Sequence, residues 1–403
     1  MRCHPPQLLV RWQSRVRTLA LSSYSQRVRK LVRIGLLIGA LERGGSERQL
    51  AELAVGLAAR GHQVEVVAYT GPGALDRYVE DRSVPVRRLS GGSKLAKLRA
   101  VRRWMQSFDP EIIHGFMKRA SSLALLANVP RTQARLVASD FSTASYSWHK
   151  PVLWVALALF ARADAVATQT EMNRKNLARL APWLRRKTRV VRNGVNVDRF
   201  KPVARSEPAS TFRFTCVGTV YSAKNPVRVI EAVRLLRDRG ARSFRVDWFG
   251  RLGLGGNGSV SHDYRQAIAL VQQHRLNDTV TFHGEVARIE DAYHSADALI
   301  HTSLQEGIPN AVVEAMACGL PTIMSRVSDL PLIVAEGHNG FVCDERNPES
   351  IADAMERMLR LPEPEREGMR VRSRELAVRW FGMKRFVEDY ERLYRSLLAD
   401  SRS

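Results

Sequence analysis

Apolar positions along the chain come as short runs separated by stripes at helical spacing. The run VRIGLLI, 32–38, reads as a buried strand. A helix follows it. Gly44-Gly45 precede Ser46, whose side chain is placed to cap the helix while Gln49 reciprocates three residues on. Leu50, Leu53, Ala54 and Leu57 keep one apolar face, and Gly61 stops the helix. A strand at 64–67 comes next, and strand, helix and strand in that order imply a right-handed parallel crossover. The pattern recurs through Ile112-Ile113 and 136–138, so the first half predicts a doubly wound sheet.

At 200–210 (FKPVARSEPAS) the apolar content falls and two prolines appear, which marks a linker. A second series then begins: strand 212–217, helix 226–239, strand 244–249, helix 264–274, and strands 280–282 and 298–301. It predicts a second Rossmann-like sheet. The last forty residues are helical in pattern, with Val387, Tyr390, Leu393, Tyr394 and Leu397 on one face. A length of 403 residues suits two such domains, each with its own core. Sheets of this kind bind ligands outside the carboxyl ends of their strands, so the chemistry is expected there, in a cleft.

Charge narrows the partners. The formal net charge of +23 attracts phosphates, whether in nucleic acid, nucleotides or an anionic bilayer. The four cysteines, Cys3, Cys216, Cys318 and Cys343, form no C-x-x-C pair, which argues against zinc or a disulfide framework and fits a reducing, intracellular setting. The longest apolar run, 151–161, is half of the roughly 20 residues that cross a bilayer, so any membrane contact is expected to be peripheral. Residues 1–30 carry seven cations and no acid, a composition shared by flexible arms, membrane-touching arms and transit peptides.

The strongest local signal is HTSLQEGIPNAVVEAMACGLPTI, 301–323. A strand ends, Glu306 and Gly307 form a loop, Pro309 and Asn310 open a helix, and Gly319 with Pro321 closes it. Glu314 lies about a turn and a half inside. Free N–H groups and positive partial charge make the helix mouth a phosphate seat, and the two glutamates can accept from hydroxyls. Phosphate plus polyol is the ligand this describes.

The string resembles the E-x7-E signature of family-four retaining glycosyltransferases, sharing Glu306, Gly307, Glu314, Ala315, Met316, Ala317, Gly319 and Pro321. The resemblance implies an α/β GT-B fold, two Rossmann-like domains facing across a cleft. On that plan 1–30 is a basic extension, 31–203 the acceptor domain, 204–380 the nucleotide-sugar domain, and 381–403 a helix returning to the first domain. It implies that Glu306 binds donor-sugar hydroxyls and Glu314 the ribose, with Ile308, Pro309 and Asn310 beside the donor at the helix mouth. VVRNGVNVDRF, 190–200, looks like the family's entry into the second domain, and CVGTVYSAKN, 216–225, like its diphosphate loop. Lys224 matches the family's lysine, whereas Thr219 stands where an arginine is usual, so half of that clamp is missing or supplied elsewhere. A fixed cation there stabilises the charge that accumulates on the leaving diphosphate. By the same resemblance Gly44 and Gly45 form a donor loop, His114 contacts the transferred sugar, and Gly284 and Glu285 hold the base. The loop 250–258 lacks a clean G-x-G-x-x-G at a helix start, which argues against dinucleotide oxidoreductase chemistry.

Two basic stretches remain: Arg87, Arg88, Lys94, Lys97, Arg99, Arg102 and Arg103, and Arg174, Lys175, Arg179, Arg185, Arg186 and Lys187. Trp104, Trp148, Trp154 and Trp183 lie near them, which suits anionic headgroups or a solvated basic face. No nucleic-acid-binding motif accompanies the charge. The expected reaction is front-face hexosyl transfer with retention, from a nucleotide diphosphate sugar to a lipid-linked or glycan acceptor in cell-surface polysaccharide synthesis. It needs no metal or cofactor and runs on the inner face of the cell membrane. A GT-B phosphorylase, which would need a pyridoxal-phosphate lysine, an epimerase and a non-catalytic anion-binding protein stand as alternatives.

Overall fold

The structure, a computed structural model, describes residues 31–89, 92–141, 151–204, 211–253 and 259–399. The basic segment 1–30, Trp148, the second half of the expected linker and 254–258 of the glycine-rich loop lie outside the described residues.

Two all-parallel sheets form the frame. The first contains β1 (Arg33–Ile38), β2 (Gln63–Ala68), β3 (Val86–Arg88), β4 (Ile112–Gly115), β5 (Arg135–Ser139), β6 (Ala165–Thr168) and β7 (Thr188–Val190), in the order β3-β2-β1-β4-β5-β6-β7. The second contains β8 (Phe212–Val217), β9 (Phe244–Phe249), β10 (Val280–Gly284), β11 (Ala298–His301), β12 (Thr322–Ser325) and β13 (Gly340–Cys343), in the order β10-β9-β8-β11-β12-β13. Strands covered by helices on both faces read as continuous apolar runs. In β1 all residues from Ile34 to Ile38 except Gly35 reach 1% exposure or less, and Gly35 is needed because a Cβ there would meet the Trp104 ring at 2.3 Å.

The helix Met383–Ala399 returns to the first domain. Its Phe386, Val387, Tyr390, Leu393 and Tyr394 join Leu50, Leu53, Ala54 and Leu57 of the helix Gly45–Ala58 in one core. The chain crosses between the domains twice, and Val195 N–H donates to the Phe381 carbonyl at 2.6 Å where the crossings meet.

Two expectations change. The helix Gly45–Ala58 starts one residue before Ser46; Gly44 is its N-cap and no side chain caps it. Gln49 is therefore released from the capping box and spent elsewhere, as shown below. Trp104 is 2% exposed beneath β1, too deep to meet a surface, while Trp154 and Trp183 are 42% and 51% exposed. No helix among the described residues is long and apolar enough to cross a membrane.

Candidate functional site

In each sheet the strand order reverses beside the first strand, between β1 and β4 and between β8 and β11. Loops leaving the carboxyl ends on either side of such a point diverge and leave a crevice. The crevices of the two sheets share one cavity of about 820 Å³, lined from the first domain by Arg43, Gly45, Ser46, Arg48, Phe141, Gln169 and Asn193, and from the second by the loops after β8, β9, β10 and β11.

The loop after β11 carries Glu306 to the mouth of the helix Asn310–Ala317. Pro309 is the N-cap and makes no side-chain cap bond; its carbonyl accepts from the Val312 and Val313 N–H groups, which leaves the N–H groups of Asn310 and Ala311 without a backbone partner among the described residues, at the cavity that Pro309, Asn310 and Ala311 line. Glu306 is ion-paired with Lys224 and lies 3.3 Å from His301 Nε2. Burial on its own raises a carboxyl pKa, but the Lys224 ammonium and His301 outweigh it and bring Glu306 down to about 2. His301, buried and beside the same ammonium, is pushed below its ordinary value and is neutral at pH 7.

Lys224 is aimed by its loop. After β8 a short 3-10 turn, Ser222–Lys224, ends at Asn225, whose φ of 62° is left-handed. Asn225 holds this conformation by donating through Nδ2 to the carbonyls of Thr302 and Glu345, at 3.1 and 2.7 Å. Leu304 N–H also donates to the Ala223 carbonyl at 2.9 Å. The Lys224 loop and the Glu306 loop are thereby stitched together through backbone.

Glu314 is 5% exposed on the helix floor of the cavity. Arg48 of the first domain donates to its Oε1 at 2.5 Å and Tyr293 to its Oε2 at 3.0 Å. Gln49, the side chain freed from capping, donates to the Gly194 carbonyl and accepts from Gly194 N–H, both at 2.8 Å. Asn310 accepts from Gln49 at 3.3 Å and from Asn193 at 3.0 Å, and donates to the Gly45 carbonyl at 3.3 Å. Polar side chains thus clamp the helix mouth to the first domain.

Of the expected donor positions, Gly45, Thr219, Lys224, Glu285, Glu306, Gly307, Ile308, Pro309, Asn310 and Glu314 line this one cavity. Gly44 and Gly284 are not among the lining residues; Gly284 instead turns the chain at φ 74°, delivering Glu285. His114 is the correction. It is 0% exposed, with Nδ1 at 2.7 Å from the Tyr394 hydroxyl and Nε2 at 2.6 Å from Ser139 Oγ, and it does not reach the cavity. Burial lowers its pKa to about 3, so it is a neutral, doubly bonded core residue rather than a group on the reacting sugar. Sequence reasoning missed His301, Arg48 and Asn193. His301 opens the quoted string and carried a signal; the Arg48–Glu314 partners are 266 positions apart and carried none. Among the described residues no three or more His, Cys, Asp or Glu are grouped to hold a metal ion.

The family model for glycosyl transferases group 1 matches residues 199–376, and that for glycosyltransferase family 4 matches 43–199. The two abut and together take in every cavity-lining residue. The chain is 29% identical over 136 residues to N-acetyl-alpha-D-glucosaminyl L-malate synthase of Bacillus anthracis, covering 34% of this chain and 35% of that one. It is 28% identical over 209 residues to the putative colanic acid biosynthesis glycosyltransferase WcaL of Escherichia coli K12, covering 49% and 48%. The match thus spans between about a third and about a half of the length of these relatives. Among solved structures, Anabaena HepE in complex with UDP superposes with a TM-score of 0.79 at 18% identity, over 90% of this chain and 100% of that one, a likeness of fold.

Proposed function

The chain belongs to the family-four glycosyltransferases of the two-domain α/β GT-B fold, and on that premise we propose that it moves a hexosyl group from a nucleoside diphosphate sugar, with retention at the anomeric carbon, onto a lipid-linked or polysaccharide acceptor in cell-surface polysaccharide synthesis. The observation that carries the proposal is the Lys224–Glu306–His301 cluster at an open helix mouth in the cavity between the domains. It pairs a fixed cation and free backbone N–H groups, which suit a diphosphate, with an ionised carboxylate, which suits sugar hydroxyls. A relative named as a putative colanic acid biosynthesis glycosyltransferase and a fold neighbour in complex with UDP support this reading.

In the proposed step the acceptor oxygen attacks the anomeric carbon from the face the diphosphate leaves, and the acceptor proton passes to a diphosphate oxygen as the C–O bond breaks. Lys224 and the helix N-terminus stabilise the charge gathering on the diphosphate, the larger part of such a rate gain. Glu306 orients the sugar and Glu314 the ribose. Neither carboxylate is disposed as a nucleophile: Glu306 is held by Lys224 and His301, Glu314 by Arg48 and Tyr293. No metal or cofactor is assigned a part.

The acceptor side of the proposal places the first domain on the anionic inner face of the cell membrane. The helix Pro151–Phe160 turns Val152, Val155 and Trp154 outward, 80%, 61% and 42% exposed, and Trp183 borders it by donating to the Leu157 carbonyl at 3.5 Å. Arg185 and Arg186 follow on the same surface, so an apolar wedge and cations occur together.

The test is nucleotide release from UDP-, GDP- and ADP-sugars, with and without vesicles containing anionic lipid. Release from one donor class that is lost in Glu306→Ala is the expected result; no release from any donor under either condition would overturn the proposal.

A further inference from the structure

Within the donor site proposed above, the structure assigns a second diphosphate-binding cation, Arg251, in place of the charge that Thr219 lacks. Among the described residues four arginines line the cavity: Arg43, Arg48, Arg199 and Arg251. Two are committed to acids of the protein itself. Arg48 donates to Glu314 at 2.5 Å, and Arg199 to Glu290 at 2.9 Å. Lys224 is likewise shared with Glu306. A dianionic diphosphate entering this floor therefore meets one lysine already half neutralised, so a further cation is needed on the same wall.

Arg251 is built into that wall. Thr219 and Arg251 sit on the loops after β8 and β9, and these loops interlock through backbone: Gly218 N–H donates to the Phe249 carbonyl at 2.9 Å and Val220 N–H to the Arg251 carbonyl at 2.7 Å, bracketing Thr219. The approach is close enough that Gly250, at φ 141°, has no room for a Cβ, which would stand 2.3 Å from the Gly218 carbonyl oxygen. The backbone of Arg251 is thereby fixed against the Thr219 segment, and Arg251 lines the same cavity as Lys224.

The Arg251 head group is also available. Its nearest acid is Glu285, at 3.7 Å, beyond hydrogen-bond range, and the two side chains are 53% and 58% exposed. An open pair of this kind is worth little. Exchanging Glu285 for a diphosphate oxygen costs Arg251 almost nothing and gives it a bidentate anion partner. Arg43 is exposed too, but it belongs to the opposite wall, in the loop before Gly44, and has no backbone tie to the Thr219 segment.

Calorimetry on the full-length protein tests this with UDP, GDP and ADP beside their monophosphates, because a diphosphate-seat residue affects the former and spares the latter. Wild type is expected to bind one diphosphate more tightly than its monophosphate. Arg251→Gln should weaken that diphosphate by about 10-fold or more, the scale of a hydrogen bond to a charged group. Monophosphate affinity and melting temperature should stay unchanged. Arg251→Lys should retain part of the preference, and adding Thr219→Arg to Arg251→Gln should restore it from the neighbouring loop. A preference that survives in Arg251→Gln, or one lost in Arg43→Gln instead, overturns the assignment and leaves the donor site standing. Wild type that binds none of the three diphosphates overturns the donor site and the assignment with it.

Discussion

β4 and β11 hold the same place in their two sheets, each beside the first strand where the order reverses, and each carries a buried histidine at its carboxyl end, His114 one residue before the last of β4 and His301 as the last of β11. Their surroundings differ. The carboxyl end of β4 is closed by the helix Met383–Ala399, whose Tyr394 hydroxyl and Tyr390 ring, the latter 5.2 Å away between centroids, seal His114 into the core. The end of β11 opens on the Glu306 loop, so His301 touches a carboxylate that faces the cavity. A strand-end histidine in this architecture is chemical or structural according to what covers it, and in the first domain the cover comes from the far end of the chain.

The contrast can be broken most directly at Glu306. Glu306→Gln keeps the shape but removes the charge that pairs with Lys224, and turnover should fall by about 10²–10³-fold, as when one preorganised electrostatic group is removed from an active site. His114→Asn, by comparison, should hold nucleotide release per folded molecule within about 3-fold. A His114→Asn variant that folds normally and is as inactive as Glu306→Gln would move the site to β4.

Stability should show the reverse order. His114→Ala strips two buried hydrogen bonds and opens a cavity under Tyr390 and Tyr394, at a cost of about 2–4 kcal/mol in denaturant unfolding. Glu306→Gln should change unfolding far less. Next in size is His301→Asn, which loosens Glu306 without discharging it; turnover should drop by about 10-fold, with the donor KM raised more than kcat is lowered.

The smallest effect separates the two sites by pH. His114 falls from an ordinary 6.5 to about 3 in the fold, so only the unfolded chain takes up its proton between those values. Its contribution is complete above pH 6.5 and is lost as pH falls toward 3. Glu306 falls from 4.5 to about 2, so its contribution begins to disappear only below pH 4.5. Stability of His114→Gln should therefore be flatter than wild type between pH 6.5 and 4.5, by up to about 1.4 kcal/mol per pH unit, while Glu306→Gln departs from wild type only in more acid solution. Parallel curves for all three proteins in the upper window would remove His114 as a buried neutral group.

Much of this molecule was legible in linear order. Parallel strands covered on both faces must be apolar at consecutive positions, which is why β1, β8 and β11 stood out; the helix mouth was legible because Glu306, Pro309, Asn310 and Glu314 are neighbours in sequence. Local patterning misled where a side chain had a distant alternative. Ser46 and Gln49 spell a capping box, yet Gln49 gains two hydrogen bonds to Gly194 instead, across 145 positions. Trp104 reads as one of several tryptophans beside basic residues, and only the gap over Gly35 shows why it is inside.

The sequence by itself determined two doubly wound sheets and the phosphate-and-polyol chemistry at 301–323, because these depend on short-range periodicity and on residues within one turn of each other. The tertiary structure alone decided that His114 lies under Tyr394, that Arg48 grips Glu314 from the other domain, and that Arg251 lies against the Thr219 loop. Those contacts join residues dozens to hundreds of positions apart. Their partners are set by how the two sheets and the returning helix pack, and no local pattern encodes that.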